Sequence, residues 1–280
     1  MRLPTTLTLP AKSWSAHATA RPSSQRATSG LGRTLLGLSL PLLLLGLAEL
    51  AGRQGWVATH LLPPPSELLR TLHALVQQDL ATHVLASSAR VLAGFAIGSL
   101  VGVVLGAAVG LNRHIEAVID PSLQALRAIP SLAWVPLLLI WLGIDEAPKI
   151  VLIALGAFFP VYLGLLAGIR NVDRKWVELG EVHGLGQLAL TRRILLPAAL
   201  PSLFTGLRGG LSLAWMFMVA AELIAASRGI GYLLTDGRET SRPDIVLAAI
   251  LFLAVLGKLS DGLLKTVEER SLHWRDSFQA

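Results

Sequence analysis

VLAGFAIGSLVGVVLGAAVGL, residues 91–111, carries no charged side chain over 21 positions. As a helix rising 1.5 Å per residue, such a stretch reaches about 30 Å, the hydrocarbon thickness of a bilayer. Ile150–Ile169 repeats the pattern over 20 uncharged residues. Working outward, Thr34–Ala51 holds only Glu49, and Ala128–Ile144 holds no charge over 17 residues. Gly209–Ala221 and Ile245–Gly257 are uncharged over 13 residues each. The first becomes membrane-length if Glu222 is admitted, the second if Lys258 and Asp261 are. The pattern predicts an all-α integral membrane protein. Its six transmembrane helices are expected at about 34–51, 91–111, 126–144, 150–169, 203–226 and 245–264.

Composition agrees. Of 280 residues, 53% are apolar and only 15% charged, and the mean hydropathy is +0.61. A soluble domain carries about 25% charged residues, so a soluble enzyme domain is excluded. The chain has no cysteine, which removes disulfides, thiolate metal sites and cysteine nucleophiles. The seven histidines are scattered without metal-ligand spacing. The net charge of +6 reads as a membrane bias rather than a nucleic-acid surface. With six spans and both termini in the cytoplasm, sixteen Lys and Arg lie inside and seven outside, with Arg208 at the start of the fifth span. This orientation obeys the positive-inside rule.

Residues 1–33 are rich in Ser, Thr, Ala and Pro and carry five basic residues and no acid. They read as a disordered basic cytoplasmic tail, with a transit peptide as the competing reading. Ala48–Ala51 loosely resembles a signal-peptide cleavage site, but 33 residues before the apolar core is long for such a signal, which favours an uncleaved first helix.

Gly94, Gly98, Gly102, Gly106 and Gly110 recur every fourth residue. Residues four apart share a helix face, and small residues on one face let membrane helices approach closely. This helix is therefore expected to be pressed against a partner along its length. Gly156, Gly164 and Gly168 make a shorter version in the fourth span, where Pro160 predicts a kink. Pro121, Pro130 and Pro136 surround the third span. Broken helix at membrane depth is tolerated inside protein or beside a cavity, so the third span, with Pro130 and Pro136, is expected beside the translocation path.

The longest cytoplasmic loop, 170–201, reads RNVDRKWVELGEVHGLGQLALTRRILLPAALP. Asp173 can cap a helix over Arg174–Val182, and Gly184 and Gly186 can stop it. A second short helix is expected over Gln187–Leu195, ending before Pro197.

This loop resembles the EAA loop of ABC importer permeases, in which E-A-A is followed by three residues, a glycine, nine residues and I-x-L-P. Here Glu178-Leu179-Gly180 stands for the triplet, Gly184 follows, and Ile194, Leu196 and Pro197 close the pattern. Leu179 and Gly180 depart from the two alanines. IPSLAWVPLLLIWLGIDEAPKI (129–150), FFPVYLGLLAGIRNVD (158–173) and AELIAASRGIGYLL (221–234) are similar to the aliphatic sulfonate, taurine and nitrate permease group, most closely to the aliphatic sulfonate permeases. The similarity covers about residues 60–275.

The resemblance implies a type I importer permease fold and a homodimer with a second permease copy. It also implies two cytoplasmic ATPase subunits and a periplasmic binding protein that delivers the solute. ATP would be used by the partner subunit, with no cofactor on this chain. The loop helix would be the coupling helix, with Glu178 anchoring it, Gly184 supplying its turn, and Ile194, Leu196 and Pro197 seating the loop end. An aliphatic sulfonate is the leading solute, with taurine, nitrate or a thiamine precursor as alternatives.

Two ionisable residues fall in the fifth span. Arg208 and Glu222 are 14 residues apart, roughly 21 Å of helix, and cannot pair with each other there. Arg208 can attract a sulfonate or snorkel to the inner interface. Glu222 precedes a glycine-rich outer turn, Ala225–Gly231, that suits a gate or a binding-protein dock. The chain lacks G-x-x-x-x-G-K-[ST], so nucleotide energy must come from another chain. An ion-coupled secondary transporter is the alternative class. It calls for internal repeats and buried coupling carboxylates; the sequence shows no repeat.

Overall fold

A computed structural model describes residues 30–58 and 61–274. Most of the expected tail, residues 1–29, lies outside them. All regular structure among the described residues is helical. The chain divides into two units, residues 1–47 and 48–280. Helix α1 (Gly30–Arg53) opens within the last residues assigned above to the tail. Its Leu42, Leu43, Leu44 and Leu45 are exposed.

The rest of the fold is built on three long helices, α3 (Leu80–Leu111), α6 (Glu146–Arg170) and α9 (Leu196–Ala225), with α6 in the middle. The 21-residue apolar run is thus the greater part of a longer helix, whose first turns carry polar residues that pack internally. The glycine row of α3 faces α6. A Cβ at Gly98 would fall on the Ala154 carbonyl oxygen, one at Gly102 would lie 2.9 Å from the Phe158 oxygen, and one at Gly106 would lie 3.0 Å from the Tyr162 oxygen. The two helices run parallel, backbone against backbone. On the other side of α6, Gly164 meets Gly206 and Gly168 meets Ala199, so α9 runs antiparallel to it. Leu152, Ile153, Ala157, Ala214, Phe217 and Met218 fill the core between them.

The stretch expected as the third span is divided. Helix α4 (Arg113–Ala128) ends at Ile129, a 3₁₀ turn covers Ser131–Trp134, and α5 (Val135–Leu142) follows at 89° to α4. Pro130 lies at the break and Pro136 in the first turn of α5. There its missing N–H costs nothing, because first-turn donors have no intrahelical partner. The α4 helix is fixed to α6 by Tyr162 Oη donating to Asp120 (2.6 Å) and by an ion pair between Arg170 and Glu116 (2.6 Å).

Past α6 come α7 (Arg174–Val182) and α8 (Gln187–Leu190). The expected stop before Pro197 is not there. A π turn over Thr191–Leu195 joins α8 to α9, and the helix runs on through Pro197. The Leu196 N–H donates to the Thr191 carbonyl, five residues back. The wider turn and the position of Pro197 near the start of α9 let the chain continue without the proline's missing donor. Helices α10 (Ile230–Glu239) and α11 (Pro243–Ser271) complete the bundle, with α2 (Pro65–Gln77) held to α11 by Thr71 donating to Asp244 at 2.7 Å. Among the described residues, four helices are long and apolar enough to cross a membrane, and a fifth if the bent α4–α5 pair counts as one.

Candidate functional site

Helix α7 stands clear of the bundle at the end where α3 and α6 finish. Asp173 caps it by accepting from the Lys175 N–H at 2.9 Å. Its other end is a Schellman turn: the Leu185 N–H reaches the Gly180 carbonyl (3.0 Å), the Gly184 N–H reaches Glu181 (2.9 Å), and Gly184 takes φ +71°. That conformation favours glycine. Gly180 is buried, and a Cβ there would lie 2.5 Å from Leu190 and 2.8 Å from Ile194. The chain therefore packs α7 onto the start of the long α8–α9 helix through a missing side chain. Leu196 and Pro197 are half-buried at that junction. Trp176, Leu179 and Val182 leave an apolar stripe on α7 exposed, Val182 by 83%. Glu178 is exposed and pairs with Arg174 at 2.9 Å. A cavity opens beside α7, lined by Trp176, Leu179, His183, Ile194, Pro197 and Trp274.

At the opposite end, Glu222 is fully enclosed. It accepts from Arg90 Nη1 (2.7 Å), Ser87 Oγ (2.8 Å) and the Gly231 N–H (2.8 Å). Gly229 and Gly231 let the turn after α9 close over the carboxylate, since a Cβ at Gly231 would lie 2.6 Å from Glu222 Cβ. Arg90 also donates to the Arg228 carbonyl at 2.7 Å. Its other edge holds Glu146 with two bonds, Nε to Oε2 at 2.5 Å and Nη2 to Oε1 at 2.8 Å. Lys149 Nζ meets the same Glu146 at 3.1 Å. Buried charges need such partners, because an unpaired one costs several kcal/mol of desolvation, about 3–5 when a partner is removed.

Arg208 meets neither open reading from the sequence as its main contact. It forms a forked pair with Asp261 (2.8 and 3.0 Å) and approaches Glu268 at 3.6 Å. Arg90 and Lys149, counted above among outer-segment charges, are buried in the first turns of α3 and α6. Arg90 was legible in principle: it continues the every-fourth register of the glycine row, one turn before Gly94. Glu146 and Lys149 carry no such signal.

The family model described as a binding-protein-dependent transport system inner membrane component matches residues 80–273. The chain belongs to this family. The permease is 39% identical over 244 residues to an aliphatic sulfonates transport permease, SsuC, of Bacillus subtilis (strain 168), covering 87% of this chain and 88% of that one. It is 41% identical over 240 residues to the SsuC protein of Escherichia coli (strain K12), covering 85% and 91%. It is 35% identical over 224 residues to the taurine transport system permease TauC of Escherichia coli (strain K12), covering 78% and 82%. It is thus a multi-pass inner-membrane ABC importer permease of this group.

Proposed function

We propose that two copies of this permease form the path of an ATP-driven importer for a small organic anion, in first place an aliphatic sulfonate. Two cytoplasmic ATPase subunits drive it, and a periplasmic binding protein delivers the solute. Both termini lie in the cytoplasm, α1 supplies the sixth span, and the broken α4–α5 segment with Pro130 and Pro136 borders the path. The names of the relatives support the solute. The alternatives within the same architecture are taurine, nitrate and a thiamine precursor.

One observation carries the mechanism. Helix α7 is a short, capped helix with an exposed apolar stripe, closed by the Gly184 turn and packed through Gly180 on the helix that continues as α9. Such a helix suits a groove on an ATPase, where closure of the ATPase dimer would push it and α9 with it. The exposed Glu178 can exchange Arg174 for a basic group of the ATPase. Motion of this kind needs ATP to bind one state better than the other. In proteoliposomes with the binding protein and ATPase, Glu178→Ala and Gly184→Val are expected to lower uptake and substrate-stimulated ATP hydrolysis. The affinity of the binding protein for its solute stays unchanged. Normal uptake in both variants overturns the coupling role, and the solute held by the binding protein decides among the anions.

A further inference from the structure

Arg90 is shared between two acids in different surroundings. The Glu222 side chain is 0% exposed, while that of Glu146 is 48% exposed. Glu146 is the first residue of α6, just after Gly143 at φ +77°, Ile144 and Asp145. Its carboxylate sits between the free edge of the Arg90 guanidinium and the Lys149 ammonium, whose side chains are only 8% and 7% exposed. Two buried cations thus converge on one oxyanion that comes from a half-exposed residue at a helix end.

The charges are also informative. With Glu146 in place, Arg90 and Lys149 balance Glu146 and Glu222. With Glu146 withdrawn, one positive charge is left over, and Arg90 remains held by Glu222 and the Arg228 carbonyl. The planar fork of Arg90 matches two oxygens of a carboxylate or of a similar oxyanion. Lys149 also lines a small cavity between α5, α6 and α9, where its neighbours are apolar: Val135, Leu138 and Leu139 of α5, Leu152 of α6 and Ala221 of α9. Helix α5 is held lightly there. Leu138 is its one buried residue, and Pro130 and Gly143 bound the segment.

We infer that Glu146 occupies an oxyanion subsite of the permease, which takes the head group of a monoanionic alkanesulfonate when Glu146 swings out, the alkyl chain entering the cavity under α5. The inference rests on the organic-anion reading above and names the residues that would meet that solute. The subsite prefers an alkyl chain to a bare or zwitterionic anion. Sulfate has no tail for the cavity, and the ammonium of taurine has no acceptor among the apolar lining residues. Because Glu146 competes for the same cations, binding is weak and readily reversed, which suits passage rather than storage.

The test uses the permease assembled with its ATPase subunits in nanodiscs, without the binding protein, titrated calorimetrically with butanesulfonate, methanesulfonate and sulfate. Glu146→Gln is expected to tighten butanesulfonate binding about tenfold, because a charge-assisted competitor is removed. Lys149→Gln, which leaves the Arg90–Glu222 pair intact, is expected to weaken it by a similar factor. Butanesulfonate binds more tightly than methanesulfonate or sulfate, and Ala221→Phe abolishes the chain-length preference by filling the cavity. Equal affinities in wild type, Glu146→Gln and Lys149→Gln, or no saturable binding in Glu146→Gln, overturn the subsite. If Glu146→Gln does not assemble, Lys149→Gln carries the test alone. Uptake by the complete system separates the two readings. Sulfonate uptake without direct binding removes only the subsite, whereas no sulfonate uptake removes the solute assignment itself.

Discussion

Gly98→Ala is the sharpest probe of the packing. The added Cβ would fall on the carbonyl oxygen of Ala154, a backbone atom that no rotamer change can move away. Ordinary contacts between heavy atoms lie at about 3.5–4.0 Å, so α3 and α6 would have to part by about 1 Å at that level. The glycine contacts one turn away on each side, at Gly94 and Gly102, would then loosen as well, and a gap of about 0.5–1 Å forfeits a quarter to a half of each contact. Overpacking costs about 1–3 kcal/mol, against which alanine regains up to about 1 kcal/mol of helix propensity. The net expectation is a loss of about 1–3 kcal/mol. Gly257→Ala in α11 is the control, since a Cβ there meets nothing within 4 Å. The assay is unfolding of the purified permease in mixed micelles with increasing denaturing detergent, with both variants measured together. If Gly98→Ala is as stable as Gly257→Ala, α3 and α6 do not meet backbone to backbone, and the packing described here is wrong.

Glu222→Ala leaves Arg90 half-paired in a closed site and is expected to cost about 3–5 kcal/mol in the same assay; wild-type stability would mean that water reaches the network. Tyr162→Phe removes the bond to Asp120 and is expected to cost about 1 kcal/mol, with faster hydrogen exchange in α4 as the local signature. Asp173→Ala removes the cap of α7 at about 1 kcal/mol. It should speed exchange of the α7 amides while leaving those of α6 protected, and uniform exchange changes would contradict a separately folded coupling helix.

The α7 turn was readable because its determinants are local. Asp173 and Gly184 act within one helical turn of their own positions, so residue type and spacing suffice. The glycine row was readable for the same reason: a repeat of four specifies a face, whatever lies opposite. That α6 is what lies opposite, and that α3 runs parallel to it, depends on contacts some 50–60 residues apart in the chain, to which a one-dimensional pattern is blind. The continuity of α8 into α9 was misread because proline commonly ends helices, and only the π turn shows how the backbone absorbs it.

The amino-acid sequence by itself determined the solvent of this protein, its helical class and the lever on one face, since these follow from hydropathy, local propensity and fixed spacing. Only the tertiary structure decided the partners of its charges. Arg90 finds Glu222 at a separation of 132 residues and Glu146 at 56, and Arg208 finds Asp261 at 53. Electrostatic pairing acts through space over a few ångströms, and nothing in the order of the residues along the chain encodes which acid will arrive within that distance.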